Sequence, residues 1–144
     1  LWRISRPHIA VIGLIEGTQH FRNIQRHHVL TSSKLLSMRI DENLNFLNAH
    51  IFKGFLINAV SQHIDLEHVV INCSSISSID LSAVEMLEDV NAELNKLNIK
   101  LHLSEIKGPV MDKLQHSKLL KHLSGKIYLT HFQAMQQLSP EVFQ

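Results

Sequence analysis

A chain of 144 residues with 44% apolar and 19% charged side chains has the composition of one globular domain, able to bury about two thirds of its unfolded surface, and not that of a disordered chain. Its formal charge of +1, with Lys and Arg scattered and no aromatic-basic run, speaks against nucleic acid as a partner; only the eleven histidines could add charge, in mild acid. No apolar run approaches the roughly 18 residues of a membrane span and no signal peptide is evident, so the segment reads as soluble. Starting at Leu1-Trp2-Arg3 rather than methionine, it is expected to be a piece of a longer chain or a processed one.

Pro7-His8-Ile9-Ala10-Val11-Ile12-Gly13-Leu14 reads as a first strand, opened by a proline where a missing amide does no harm. The polar stretch that follows, from Gly17 through Arg26-His27-His28, has no helical stripe. It reads as a surface excursion with one short strand over 28–30. Leu35-Leu36-Ser37-Met38-Arg39-Ile40 is the next strand and ends at Asp41-Glu42-Asn43. Asn48 is placed to cap a first helix whose stripe is Phe52, Phe55, Leu56, Ala59 and Val60, and which ends near Gln62-His63.

The stretch 69–97 organises the rest. Val69-Val70-Ile71-Asn72-Cys73 carries no charge and suits a strand buried on both faces; a serine-rich turn, Ser74-Ser75-Ile76-Ser77-Ser78-Ile79-Asp80, leads into a helix from about Ser82. Val84, Leu87, Val90, Leu94 and Leu97 recur at steps of three and four, so strand, turn and helix fold back as one unit. Two readings of Ser82 follow. Ser82-Ala83-Val84-Glu85 is a capping box, in which the serine accepts from the third helical amide and Glu85 reaches back. Alternatively Ser82 is a phosphoacceptor, whose phosphate would face the positive end of the helix dipole yet add about −1.5 to −2 charges beside Asp80.

Asn98 then turns the chain into Ile99-Lys100-Leu101-His102-Leu103, a strand with its apolar face on the odd numbers. A third helix opens at Lys107-Gly108-Pro109, with proline in the first turn where no amide bond is lost. Ile127-Tyr128-Leu129 gives a last strand, and 132–138 a last helix with Ala134, Met135 and Leu138 inward, stopped by Ser139-Pro140. Strands alternating with helices predict a single α/β domain. Its central sheet is mixed, because no helix separates the first two long strands and they can pair antiparallel, and about four helices flank it.

Reaction centres are hard to assemble. Glycine-rich phosphate loops and the His-Glu-x-x-His motif are missing, His27-His28 and His63/His68 match no metal spacing, and Asp41-Glu42 and Glu88-Asp89 lack a positioned third group. Cys73 sits in the most apolar strand with no basic neighbour and reads as a small core residue in a reducing compartment. The expectation is a chain that is not an enzyme, with no cofactor and no metal.

The strand, the serine-rich turn and Ile79-Asp80-Leu81-Ser82-Ala83 with its helix resemble the signature of STAS domains, shared by sulfate-transporter C-termini and anti-sigma-factor antagonists. In the free-standing antagonists the pattern is Asp-Ser-Ser-Gly, with the second serine phosphorylated; Ser82 takes that place here, while Leu81 replaces the first serine and Ala83 the glycine. Gly17-Thr18-Gln19-His20-Phe21-Arg22-Asn23, Arg39-Ile40-Asp41, Leu44-Asn45-Phe46-Leu47-Asn48-Ala49 with Phe52, and the octet 107–114 resemble the STAS domain of bacterial SulP anion transporters, as does the long insertion 15–34. That resemblance, which spans nearly the whole chain, implies a non-catalytic regulatory and assembly domain on the cytoplasmic face of a bacterial inner membrane. Residues 1–6 would then be the linker from an upstream membrane domain.

The implied partners are that membrane domain, a second copy in a dimer, or a soluble regulatory protein; the alternative is a free-standing antagonist switched at Ser82. Candidate contacts are the turn with Ser75, Ser77 and Ser78, together with Asn48 and the inserted loop around Phe21. Amides at the helix start, helped by Arg39, could hold a nucleotide phosphate or other anion weakly.

Overall fold

The computed structural model describes residues 9–144; Pro7 and the expected linker over 1–6 lie outside them. In chain order the elements are β1 (Ile9–Leu14), β2 (Phe21–Asn23), β3 (Leu35–Ile40), α1 (Ala49–Ser61), β4 (His68–Asn72), α2 (Leu81–Lys96), β5 (Lys100–Ser104), α3 (Gly108–Gln115), α4 (Leu119–His122), β6 (Ile127–Tyr128) and α5 (His131–Leu138), closed by a 3-10 turn over Pro140–Phe143. Six strands form one sheet in the order β2-β1-β3-β4-β5-β6. β1 pairs antiparallel with both β2 and β3, and β3, β4, β5 and β6 run parallel, which is the mixed sheet expected of a chain whose later strands are joined by helical crossovers.

The sheet has two unequal faces. Leu36, Met38, Ile40, Val69, Ile71, Leu101 and Leu103 point to one side and pack under α1, α2, α3 and α4 through Phe52, Leu56, Val84, Leu87, Val90, Leu94, Val110, Leu114 and Leu119. Leu35 and Val70 point the other way and meet Ile12, Phe21, Tyr128 and the α5 residues Ala134 and Met135. The stripes read from the sequence therefore face the core, save at their margins. Phe55 and Leu97 are largely exposed, because a stripe five residues wide on α1 outruns the sheet beneath it and Leu97 already caps α2. Asn98 turns there with φ 61°, a left-handed conformation that asparagine tolerates.

The excursion between β1 and β3 differs from expectation. Its strand is Phe21–Asn23, paired with β1, while only Leu30 of the 28–30 stretch makes a bridge, exchanging both backbone hydrogen bonds with Leu14 (2.7 and 3.0 Å). Gly13 makes this crossing possible, since a Cβ there would lie 2.6 Å from the Val29 side chain. Among the described residues five helices flank the sheet, in keeping with the expected number of about four; the one not read from the sequence is the single turn α4, too short to print a periodic pattern.

Candidate functional site at the carboxyl edge of the parallel strands

Parallel strands deliver their loops to one edge, and ligands or partners of α/β domains are met there. Here the β3–α1 loop (41–48) and the β4–α2 loop (73–80) lie side by side, joined by a parallel bridge between Leu44 and Ile79. Asn43 Oδ1 accepts from the amides of Ser77 (2.8 Å) and Ser78 (3.1 Å), and Asn72 Oδ1 accepts from Ser74 N (2.9 Å). Two asparagines thus take up amides that the serine-rich turn cannot satisfy itself. Sequence reasoning passed over both, although an asparagine three residues beyond the end of β3, as Asn43 is, is a signal for a loop-organising side chain.

The helix start also departs from the reading above. Asp80, not Ser82, is the N-cap of α2: its Oδ1 accepts from Ala83 N at 2.9 Å, and its Oδ2 accepts from Phe46 N at 2.9 Å in the neighbouring loop. An ionised carboxylate meets the positive end of the helix and a second loop at once, which a serine hydroxyl two residues later cannot do. Ser82 is accordingly an exposed residue within the first turn. Asn48 is a second correction. It occupies the N-cap position of α1 without capping it; its Oδ1 accepts from Asn45 N (2.9 Å) and its Nδ2 donates to Asn43 O (2.7 Å) and Glu42 Oε1 (3.0 Å), so it knots the loop.

The anion-binding idea loses its two supports. Arg39 is paired with Asp41, through Nε to Oδ1 and through Nη2 to Oδ2 at 3.1 Å, and Ser75 Oγ donates to that same Asp41 (3.3 Å). The start of α2 is already occupied by the chain's own carboxylate, Asp80. Phe21, expected on a contact surface, is 7% exposed and stands edge-on to the His131 ring with centroids 4.6 Å apart. It anchors the excursion to the second face. What the edge presents is a mixed surface: Phe46 (66% exposed) and Leu47 (67%) project from the 41–48 loop and Leu81 (70%) from the first turn of α2, next to the exposed side chains of Ser77 and Ser78.

Other candidates resolve into structure. Cys73 is buried and its thiol is pushed up to about 12 by loss of solvent, which leaves no thiolate for chemistry near neutral pH. His68 and His102 form a pair, Nδ1 to Nε2 at 3.0 Å. Because the Lys126 amide donates to His102 Nδ1 (2.9 Å), His102 holds its proton on Nε2 and gives it to His68, so both rings are neutral. Burial lowers both, His102 to about 4. His131, fully buried, joins Ser104 Oγ (2.7 Å) and Ser37 Oγ (2.8 Å), and burial with the nearby Arg39 charge lowers it to about 3. Among the described residues no three of His, Cys, Asp and Glu converge to hold a metal, and no helix is long and apolar enough to cross a membrane.

Comparison with known proteins places this geometry. A family model described as STAS domain matches residues 23–134. Sulfate transporter 3.2 of Arabidopsis thaliana is 29% identical over 143 residues, covering 92% of this chain and 22% of that protein. The murine Slc26a9 anion transporter in its inward-facing state superposes with a TM-score of 0.78 at 14% identity, over 93% of this chain and 23% of that one. The anti-sigma factor antagonist SpoIIAA in its unphosphorylated form superposes with a TM-score of 0.64 at 16% identity, over 77% of this chain and 93% of that one. At such identities the two structures speak for the fold. The chain spans less than a quarter of the length of the curated relatives it matches.

Proposed function

Since the chain belongs to the STAS domain family, we propose that it is the cytoplasmic regulatory and assembly domain of a SulP-type anion transporter, performing no transport chemistry and acting through contacts with its own membrane domain, a second copy or a soluble protein. The observation that carries this reading is the carboxyl edge itself. Asn43, Asp41 and Asp80 are engaged in holding two loops together, and what the edge exposes is the large apolar side chains of Phe46, Leu47 and Leu81 beside the hydroxyls of Ser77 and Ser78. A surface so built suits contact rather than reaction. The similarity to plant sulfate transporters over almost the whole chain supports the transporter branch. Reading the coding DNA upstream of Leu1 tests it: a series of apolar spans of about 20 residues each is the expected result, and a start codon within a few residues overturns it.

The exposure of Ser82 beside Asp80 favours a second reading, an antagonist switched by phosphorylation there. A phosphate on Ser82 would place its charge against the Asp80 carboxylate and repel an acidic partner. On that reading Ser82→Asp abolishes binding to the partner in a pull-down. On the transporter reading the same change in the full-length protein alters uptake only modestly.

A further inference from the structure

Between α2 and α3 runs an open groove of about 870 Å³ that begins at the exposed Leu81. Each wall is one helix stripe. Leu81, Val84, Glu85 and Glu88 line it from α2, and Pro109, Asp112, Lys113 and His116 from α3, both at the spacing i, i+3, i+4, i+7 that puts side chains on one face. Leu81 and Pro109 supply the exposed apolar surface, over a base closed by the buried Val84, and the α2 rim above it is purely acidic. Among the described residues neither Glu85 nor Glu88 takes part in an ion pair. The α3 wall carries Asp112 beside Lys113, with Lys118 just beyond, so one rim is acidic and the other mixed with a surplus of lysine.

We propose that this groove is a docking site for an amphipathic helix of a partner protein, its apolar stripe on Leu81 and Pro109 and its Lys or Arg side chains along the one flank that faces Glu85 and Glu88. The lined length of α2 corresponds to about two helical turns, or roughly 10 Å, which matches the anchors of a helix laid into a groove. Lys113 and Lys118 on the opposite rim outnumber Asp112 there and disfavour an evenly basic helix, so the charge is best placed on one side, and this sets selectivity more than affinity. The inference does not depend on whether the chain serves a transporter.

The test uses the 144-residue chain and three synthetic peptides of about four turns with a common leucine stripe: lysines on one flank, glutamates on that flank, or lysines all round. Fluorescence anisotropy and backbone amide shifts are the readouts. The one-sided lysine peptide is expected to bind in the micromolar range, to move the amides of Val84, Glu85, Glu88, Asp112 and Lys113, and to bind at least about tenfold more tightly than the other two. Glu85→Lys with Glu88→Lys should transfer preference to the glutamate peptide, and Lys113→Glu should tighten the lysine peptide. Equal binding of all three peptides, shifts mapping elsewhere, or no binding up to millimolar peptide overturns the proposal. So does sedimentation showing a dimer of the free chain that Leu81→Ser returns to monomer, because the occupant would then be a second copy.

Discussion

The two faces of the sheet are built on different principles. Under α1 to α4 the centre of the core is dry: Met38, Ile40, Phe52, Leu56, Val69, Ile71, Leu101 and Leu103 interlock with almost no exposure and no polar partner to satisfy, and the buried Asn91 of α2 bonds His122 and Ser124 at its margin. Under α5 the apolar cluster is smaller, and the same strands turn Ser37, His68, His102 and Ser104 toward it. That face is completed by hydrogen bonds, with His131 bridging β3 and β5 through two hydroxyls and His102 tying β4 to the β6 turn. A dry face gains stability from volume, whereas a bonded face gains it from geometry and proton occupancy. The first is indifferent to mild acid; the second is not.

The sharpest break in the dry face is Phe52→Ala. The side chain is wholly buried at the centre of α1, so its removal should cost about 3–5 kcal/mol in urea denaturation, with no change in the pH dependence of what stability remains. On the bonded face, His131→Leu keeps the volume but orphans the hydroxyls of Ser37 and Ser104, for a loss of about 2–4 kcal/mol. Adding Ser37→Ala and Ser104→Ala should recover much of that loss; failure to recover it would mean that packing, not bonding, sets this face. The pH signature separates the two faces further. His131 takes a proton only near 3 in the folded chain and near 6.5 when unfolded, so the unfolded state binds more protons in between. Stability is complete above about pH 6.5 and falls as pH drops toward 3, by about 1.4 kcal/mol per unit from this group alone. His131→Leu should remove that share of the slope, whereas Phe52→Ala should leave it.

This contrast also explains what could be read without coordinates. Helix stripes such as Val84, Leu87, Val90 and Leu94 print their period on the chain, so the dry face, the strand order's crossovers and the mixed sheet were legible. The bonded face was not, because Ser37, Ser104 and His131 are polar residues far apart in sequence, and nothing local distinguishes a buried histidine from a solvated one. At the carboxyl edge the sequence marks the serine-rich turn, but the cap of α2 and the ties between the loops are made by other residues. Ser82 fits a capping box as a pattern, but the position is decided by Asp80, which can bond Ala83 and the distant Phe46 amide together. The role of Asn43 likewise depends on two loops meeting, since it and Ser77 lie 34 residues apart, and that of Asn48 on how its own loop folds back over Asn43 and Asn45.

The helix starts carry the comparison to its smallest effects. α2 on the dry face is capped by Asp80 and α5 on the bonded face by Thr130, whose Oγ1 accepts from Gln133 N at 3.1 Å. Thr130 makes one neutral bond at an exposed turn, so Thr130→Ala should cost about 1 kcal/mol. Asp80 makes two charge-assisted bonds and complements the helix dipole, so Asp80→Ala should cost about 2 kcal/mol and loosen the 41–48 loop, visible as faster amide exchange at Phe46. Ser82→Ala is the discriminating control. If Asp80 alone caps α2, the change stays within about 0.5 kcal/mol by denaturation, as for an ordinary surface residue. A loss near 1 kcal/mol would mean that the serine shares the cap in solution. With Asp80→Ala and Ser82→Ala combined, a loss no larger than that of Asp80→Ala leaves the Ser82 hydroxyl free of structural duty, and so available for modification without unwinding the helix it begins.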